Sequence, residues 1–198
     1  VIWGSCMVAC GDADAMVTGN TRRYGQSLQK IIKVVDPRPG EIMFGLNMVV
    51  NKGRTVFIGD TSVHEYPSSK QLAEIAISSA RVVRLFGFTP KIAFLSHSTF
   101  GQPMTSSTKH IRDAVEILKK MKVDFKFDGD MQPDVALNDE YKELYPLSDI
   151  VGNANVLIMP GQHSAAISYK IMKSMSSAKV IGPLLIGLGA AIEIAPLR

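Results

Sequence analysis

"IAFLSHSTFGQP" (92–103) decides how this chain is read. Ile92, Ala93, Phe94 and Leu95 are apolar, and Ser96, His97, Ser98, Thr99, Phe100 and Gly101 follow at once. A short apolar run bounded by a turn reads as a buried strand. In open α/β sheets ligands bind in the crevice beyond the carboxyl ends of such strands. Hydroxyls stacked there point to a site, and a turn whose hydroxyls cap a neighbouring helix satisfies the same pattern. Two other runs repeat the design. "DGDMQPD" (128–134) follows the alternating Val123–Phe127, and "MPGQHSAA" (159–166) closes an apolar run beginning at Asn155. Three polar strand ends, each followed by a helix, imply one cleft on one sheet edge.

The remaining pattern is that of an α/β protein with a predominantly parallel sheet. Ala15–Thr18 is a short apolar run, and residues 20–35 carry Leu28, Ile31, Ile32 and Val35 at helical spacing. "DPRPG" (36–40) is a turn. Glu41–Val50 and Thr55–Ile58 read as a hairpin joined at "NKGR". Ser68 and Gln71 have the spacing of a capping box ahead of a helix ending at Gly87. Ser107–Met121 is a further helix through Ile111, Val115 and Leu118. Another helix starts near Ser164 with Ile167, Ile171 and Met175, and Val180 and Ile181 open a final strand.

The chain has 198 residues, 46% hydrophobic and 20% charged, with net charge +4. That suits one large domain or two modest lobes. No apolar run approaches the ~20 residues that span a bilayer, and no signal-peptide pattern opens the chain. Two cysteines, Cys6 and Cys10, cannot make a disulfide scaffold or complete a zinc site, so a reducing, cytoplasmic setting is expected. The clusters Arg22, Arg23, Lys30, Lys33 and Lys119, Lys120, Lys122 read as solvated helix faces. No aromatic-interleaved basic stripe supports nucleic-acid binding.

Taken singly, the chemical candidates are weak. Asp128, Asp130 and Asp134 lack the EF-hand pattern and fit turn or cap roles, so no metal site is expected. Ser96, Ser98, His97 and Asp128 have the residue types of a catalytic triad without a G-x-S-x-G elbow. His163 suits a local cap or a base. His64 and His110 read as surface histidines.

Five segments in order, "GDADAMVTG" (11–19), "SHSTFG" (96–101), "DGDMQPDVAL" (128–137), "ANVLIMPGQHSAAISYK" (154–170) and "VIGPLLIGL" (180–188), resemble the phosphate acetyltransferase family along the whole chain. "STFG", "VDFKFDGDM" and "IMPGQHSAAIS" are most similar to the phosphotransacetylase-like C-terminal domain of large bacterial NADP-dependent malic enzymes. The resemblance implies a two-lobed α/β fold with an interlobe cleft, present here as a fragment. Residues 1–49 and 181–198 would belong to an incomplete first lobe and 50–180 to the second. It implies a cleft for acetyl-CoA, with Ser96, Ser98, Thr99, Gly101, Asp128, Gly129, His163, Ser164, Gly182 and Pro183 as ligand-binding candidates.

Active acetyltransferases of the family have "TLRPAL" where this chain has "SLQKII", so Gln29 stands at the arginine. They have "DCAVN" where it has "DTSVH", so Thr61 stands at the cysteine. Pro196 and Leu197 stand at their Ser-Arg pair, and their catalytic aspartate would fall beyond residue 198. Losing the arginine removes a permanent cation and its bidentate fork. Losing a general base commonly costs ~10²–10⁴-fold in rate. The resemblance thus implies a regulatory and oligomerisation domain of a malic enzyme, with acetyl-CoA as effector and homo-oligomerisation through domain pairing. NADP, Mg2+ or Mn2+ and malate decarboxylation would belong to N-terminal malic domains of the same polypeptide. The alternatives are an active phosphate acetyltransferase and a purely structural oligomerisation module.

Overall fold

The computed structural model describes residues 1–103 and 105–196. A six-stranded sheet forms its centre. The strands are β2 (Phe44–Asn51), β3 (Arg54–Gly59), β4 (Lys91–Leu95), β5 (Lys126–Met131), β6 (Val156–Ile158) and β7 (Lys179–Ile186), in the order β5-β4-β6-β3-β2-β7. β4 pairs parallel with both β5 and β6, and β6 parallel with β3. Only β2 runs against its neighbours β3 and β7. The expectation of a predominantly parallel α/β fold is met.

Local sequence explains the connections. Lys52–Gly53 joins β2 to β3 as a two-residue hairpin with Asn51 opposite Arg54. The helix α3 (Ser69–Leu85) opens on a complete capping box. Ser68 Oγ accepts from Gln71 N at 3.3 Å, and Gln71 Oε1 accepts from Ser68 N at 2.9 Å. α3 and α4 (Ser106–Met121) cover one sheet face, where Leu72, Ile75, Ile111 and Leu118 pack on Phe57 and Phe94. α5 (Pro133–Leu137) and α6 (Gln162–Met175) cover the other, packing Val135 and Ala165 against Ile58 and Leu157. Side chains of this size stabilise the fold by ~1.5–3 kcal/mol each when fully buried.

A smaller unit flanks this sheet. β1 (Met16–Gly19) pairs parallel with β8 (Ile192–Ala195), and α2 (Tyr24–Ile31) packs Leu28 and Ile31 against Ile192 and Ile194. α1 (Ile2–Cys10) carries both cysteines and leaves Trp3 exposed.

Several expectations change. α2 is shorter than the 20–35 span, and Ile32 turns outward. Neither α1 nor β8 is legible: α1 is apolar with no polar face, and β8 is four residues after a glycine-rich bend. The divisions at 49/50 and 180/181 fall inside β2 and β7, both members of the central sheet. β5 starts at Lys126 rather than Val123, because register with β4 sets Lys126 opposite Lys91. Asp128 and Gly129 therefore lie within β5, opposite Ala93 and Phe94, and are not the turn beyond it. Among the described residues no helix is long and apolar enough to cross a membrane.

Candidate functional site

Parallel pairing sets the ends of β5, β4, β6 and β3 side by side. Leu95 lies opposite Met131, and Ile158 is level with both Phe94 and Gly59. Two buried carboxylates occupy this edge, one on each side of β6.

Asp130 organises the first corner. Its side chain is fully buried and takes a short hydrogen bond from Ser98 Oγ and a 3.0 Å bond from Gly101 N. Arg112 of α4 stands 3.6 Å away. Ser96 and Ser98 hydroxyls are 3.1 Å apart, and Thr99 Oγ1 accepts from Gln132 N at 3.2 Å. Of the expected ligand residues here, Ser96, Ser98, Thr99 and Gly101 are all buried, and their polar groups turn into the protein. They shape the loop and its junction with β5. Asp128 Oδ1 accepts from Gly129 N at 2.9 Å. Asp134 sits in the first turn of α5 and accepts from Tyr141, so the three aspartates have separate partners and do not converge.

Asp60 organises the second corner, at the end of β3. Its Oδ1 accepts from Gly45 N (2.8 Å), Ser62 N (2.8 Å) and Val63 N (3.2 Å), and its Oδ2 from His64 N (2.8 Å). His64 Nδ1 lies 2.8 Å from the same Oδ2. A carboxylate only accepts, so this contact orients the ring with Nδ1–H toward Asp60 and Nε2 on the far side. His64 is thus a positioned, mostly buried imidazole rather than a surface one. Thr61 Oγ1 donates to Asn47 Oδ1 at 2.7 Å.

This second corner opens on solvent-accessible space. A cavity of about 380 Å³ lies between Thr61 and Ser62, Arg23 and Tyr24 at the start of α2, and Gln162 and Lys170 of α6. Pro183 and Pro196 close it from β7 and from the end of β8. The Tyr24 hydroxyl is buried with no partner at hydrogen-bond geometry, and burial pushes its pKa upward, Ser62 opposing in part. Arg23 and Lys170 line the same cavity. Burial likewise holds the Glu193 carboxyl above its ordinary range, against a 3.0 Å bond from Leu185 N.

A second cavity, about 540 Å³, adjoins the first turn of α6 and holds His163 and Ser164 together with Tyr66 and His110. Gly161 enables this approach, because a Cβ there would stand 2.4 Å from Glu65 O. Gly182 does not line either cavity. It sits at a β2–β7 irregularity with φ +117, where a Cβ would meet Leu46 O at 2.8 Å. The expected ligand residues therefore divide: the Ser96–Gly101 group with Asp130, His163 and Ser164 in the larger cavity, and Pro183 in the smaller. Gln29 is exposed on α2 away from the smaller cavity, and Leu197 lies outside the described residues. Sequence reasoning missed Asp60, His64, Arg23, Tyr24 and Lys170. "VFIGDTSVH" (56–64) carried the same signal as "SHSTFG", an apolar strand running straight into polar residues.

Residues 1–196 match the phosphate acetyl/butaryl transferase family. The chain belongs to this family. It is 44% identical over 195 residues to the NADP-dependent malic enzyme of Rhizobium meliloti, covering 98% of this chain and 26% of that protein. It is 34% identical over 193 residues to the phosphate acetyltransferase of Clostridium acetobutylicum, covering 92% and 58%. A phosphotransacetylase from Streptococcus pyogenes superposes with a TM-score of 0.93 at 28% identity, over 100% of this chain and 61% of that one. The chain thus spans about a quarter of the malic enzymes it matches, on their C-terminal phosphate acetyltransferase-like part.

Proposed function

We propose that this phosphate acetyltransferase-family domain serves regulation and assembly in a decarboxylating NADP-dependent malic enzyme, binding acetyl-CoA without transferring its acetyl group. The observation that carries this reading is the smaller cavity, which offers means of binding but lacks means of catalysis. Arg23 and Lys170 supply cations for phosphates, while Ser62 and Gln162 supply neutral polar groups for a pantetheine arm. Thr61 directs its hydroxyl proton to Asn47 Oδ1, an amide oxygen that is not a general base. Pro196 contributes neither charge nor an N–H donor. Binding without groups that act selectively on the transition state gives affinity and no turnover.

The cavity also touches both structural units, with α2 and Pro196 on one side and β3, α6 and β7 on the other. A ligand seated there favours whichever arrangement of the two units closes around it. Coupling of ~1–3 kcal/mol would change affinity at a remote site about 5–150-fold. Malate oxidation, NADP and the divalent metal are assigned to other domains of the polypeptide. The assembly role is supported by α6, whose Ile167, Ile171 and Met175 are exposed along one stripe. Sedimentation that finds only monomer at high concentration would remove that part.

The test is to measure acetyl-CoA binding to the full polypeptide and assay acetyl phosphate formation from acetyl-CoA and phosphate in parallel. Saturable binding with negligible acetyl phosphate is expected. Robust acetyl phosphate formation would make this an active acetyltransferase, and absence of binding would leave only a scaffold.

A further inference from the structure

α1 stands apart from both cavities, and none of its residues lines either one. Its inward side is formed by Gly4, Ser5 and Val8. Ser5 is fully buried, and a Cβ on Gly4 would stand 2.5 Å from Met16 Sδ. An α-helix turns about 100° per residue, which puts Cys6 and Cys10 about 40° apart on the opposite, outward side, together with Trp3. The exposures agree. Trp3 is 84% and Met7 45% exposed, Cys10 is exposed and Cys6 is half-buried. Both thiols are free. A free cysteine ordinarily packs inward as a small hydrophobe, so two on the outer side of one helix call for another reason.

Their spacing disfavours a disulfide and suits a bridging ion. Side chains four residues apart on a helix have Cβ atoms about 5–6 Å apart. A disulfide needs about 3.5–4.5 Å, so closing one would distort the end of α1. Two metal–thiolate bonds of about 2.3 Å set in line hold their sulfurs about 4.6 Å apart, a separation the two Sγ atoms reach by rotating about χ1 on an undistorted helix. Met7 adds a third sulfur. It follows Cys6 and precedes Cys10 by three residues, so its thioether shares their turn.

The donor set selects the ion. α1 carries no charged residue, and among the described residues no group of three or more His, Cys, Asp and Glu could hold a metal. Zinc, which takes a full tetrahedral set of such ligands in a structural site, is not served here, nor are the hard cations that need a shell of oxygens. Thiolates and a thioether are soft donors, and they select Cu(I). Each thiol releases its proton to solvent as it coordinates, and no electron is transferred.

We infer that Cys6 and Cys10, with Met7, form a surface site on α1 for a soft ion of low coordination number, Cu(I) being the type. The test titrates the copper-free full polypeptide with Cu(I) under anaerobic conditions against bicinchoninate, whose copper complex is coloured, and reads how much copper the protein withholds. Wild type is expected to withhold one more Cu(I) per chain than Cys6→Ser or Cys10→Ser, whatever other sites the polypeptide carries. At the same bicinchoninate concentration Met7→Leu withholds less than wild type and more than either serine variant. Thermal melts without copper show that the variants stay folded, so a loss of copper is not a loss of structure. A parallel titration with Zn2+ does not distinguish wild type from the serine variants. Equal copper retention by wild type and by the double variant Cys6→Ser, Cys10→Ser would overturn the site. Zn2+ retention that falls in either serine variant would overturn its assignment to an ion of low coordination number.

Discussion

Asp60 and Asp130 stand at the same edge of one sheet, separated by β6, and solve the burial of a carboxylate in opposite ways. Asp130 is answered by two side chains, Ser98 and Arg112, and by one backbone amide, that of Gly101, and its own side chain is fully buried. Asp60 is answered by four backbone amides and one imidazole. Its neighbours Thr61 and Ser62 face a cavity. A carboxylate satisfied by the main chain leaves nearby side chains available for a ligand. One satisfied by side chains consumes them. The first corner is a fastening, and the second is the floor of a cavity.

The largest effects should come from removing either carboxylate. Asp130→Ala leaves Arg112 and Ser98 facing a void, and Asp60→Ala leaves four amides without their acceptor. Breaking a buried charged cluster by deleting one partner typically costs ~3–5 kcal/mol, measurable by denaturant unfolding. Asp60→Asn should cost about 1–3 kcal/mol, keeping the shape while weakening the acceptor. The corners should then separate in binding: acetyl-CoA affinity falls in Asp60→Asn and is unchanged in Asp130→Asn. Equal losses in the two would erase the distinction.

Hydroxyl deletions sharpen the same contrast at smaller scale. Ser98→Ala removes a buried bond to a charged group, worth about 1.5–3 kcal/mol. Thr61→Val removes a bond to the neutral Asn47 amide, worth about 1 kcal/mol. If Thr61→Val proves the more destabilising, the Asp130 corner is not the tighter fastening.

The next effect depends on pH and belongs to β8. Burial raises the Glu193 carboxyl's pKa above its ordinary 4.5. The folded state therefore binds that proton more tightly than the unfolded chain does. Its favourable contribution is present below pH 4.5 and is lost as pH rises through the higher folded value. Glu193→Gln keeps an acceptor for Leu185 N and removes the titration. Wild-type stability relative to this variant should decline as pH rises above about 4.5, and a flat difference would contradict the burial of the charge. Smallest of all, Lys109→Ala should change stability by less than ~0.5 kcal/mol despite its 2.7 Å contact with Asp113, because both groups are exposed.

How far these corners were legible depends on what each residue's chemistry leaves in the sequence. The Ile92–Leu95 strand, the Ser68–Gln71 capping box and the Lys52–Gly53 hairpin carry local signals, and each formed where periodicity and turn chemistry placed it, whereas β5 shifted toward its C-terminal end. "SHSTFG" was legible as a polar strand end, but its direction was not. Whether Ser98 faces a ligand or a carboxylate depends on Asp130, 32 positions away and drawn in only by β4–β5 pairing. Asp60 hid differently: its partners are mostly backbone amides, which any sequence supplies. Arg23 and Lys170 read as ordinary surface charge because α2 and α6 meet only in the folded chain. β8 left almost no trace, since its four residues are held by pairing with β1 rather than by their own propensity.

The regulatory role is most directly tested by malate oxidation in the full polypeptide as acetyl-CoA is titrated, with this domain present and with it deleted. Progressive inhibition in the intact protein, abolished by deletion of residues 1–198 while malate oxidation persists, is the expected result. Inhibition that survives the deletion, or an intact protein indifferent to acetyl-CoA, would contradict it.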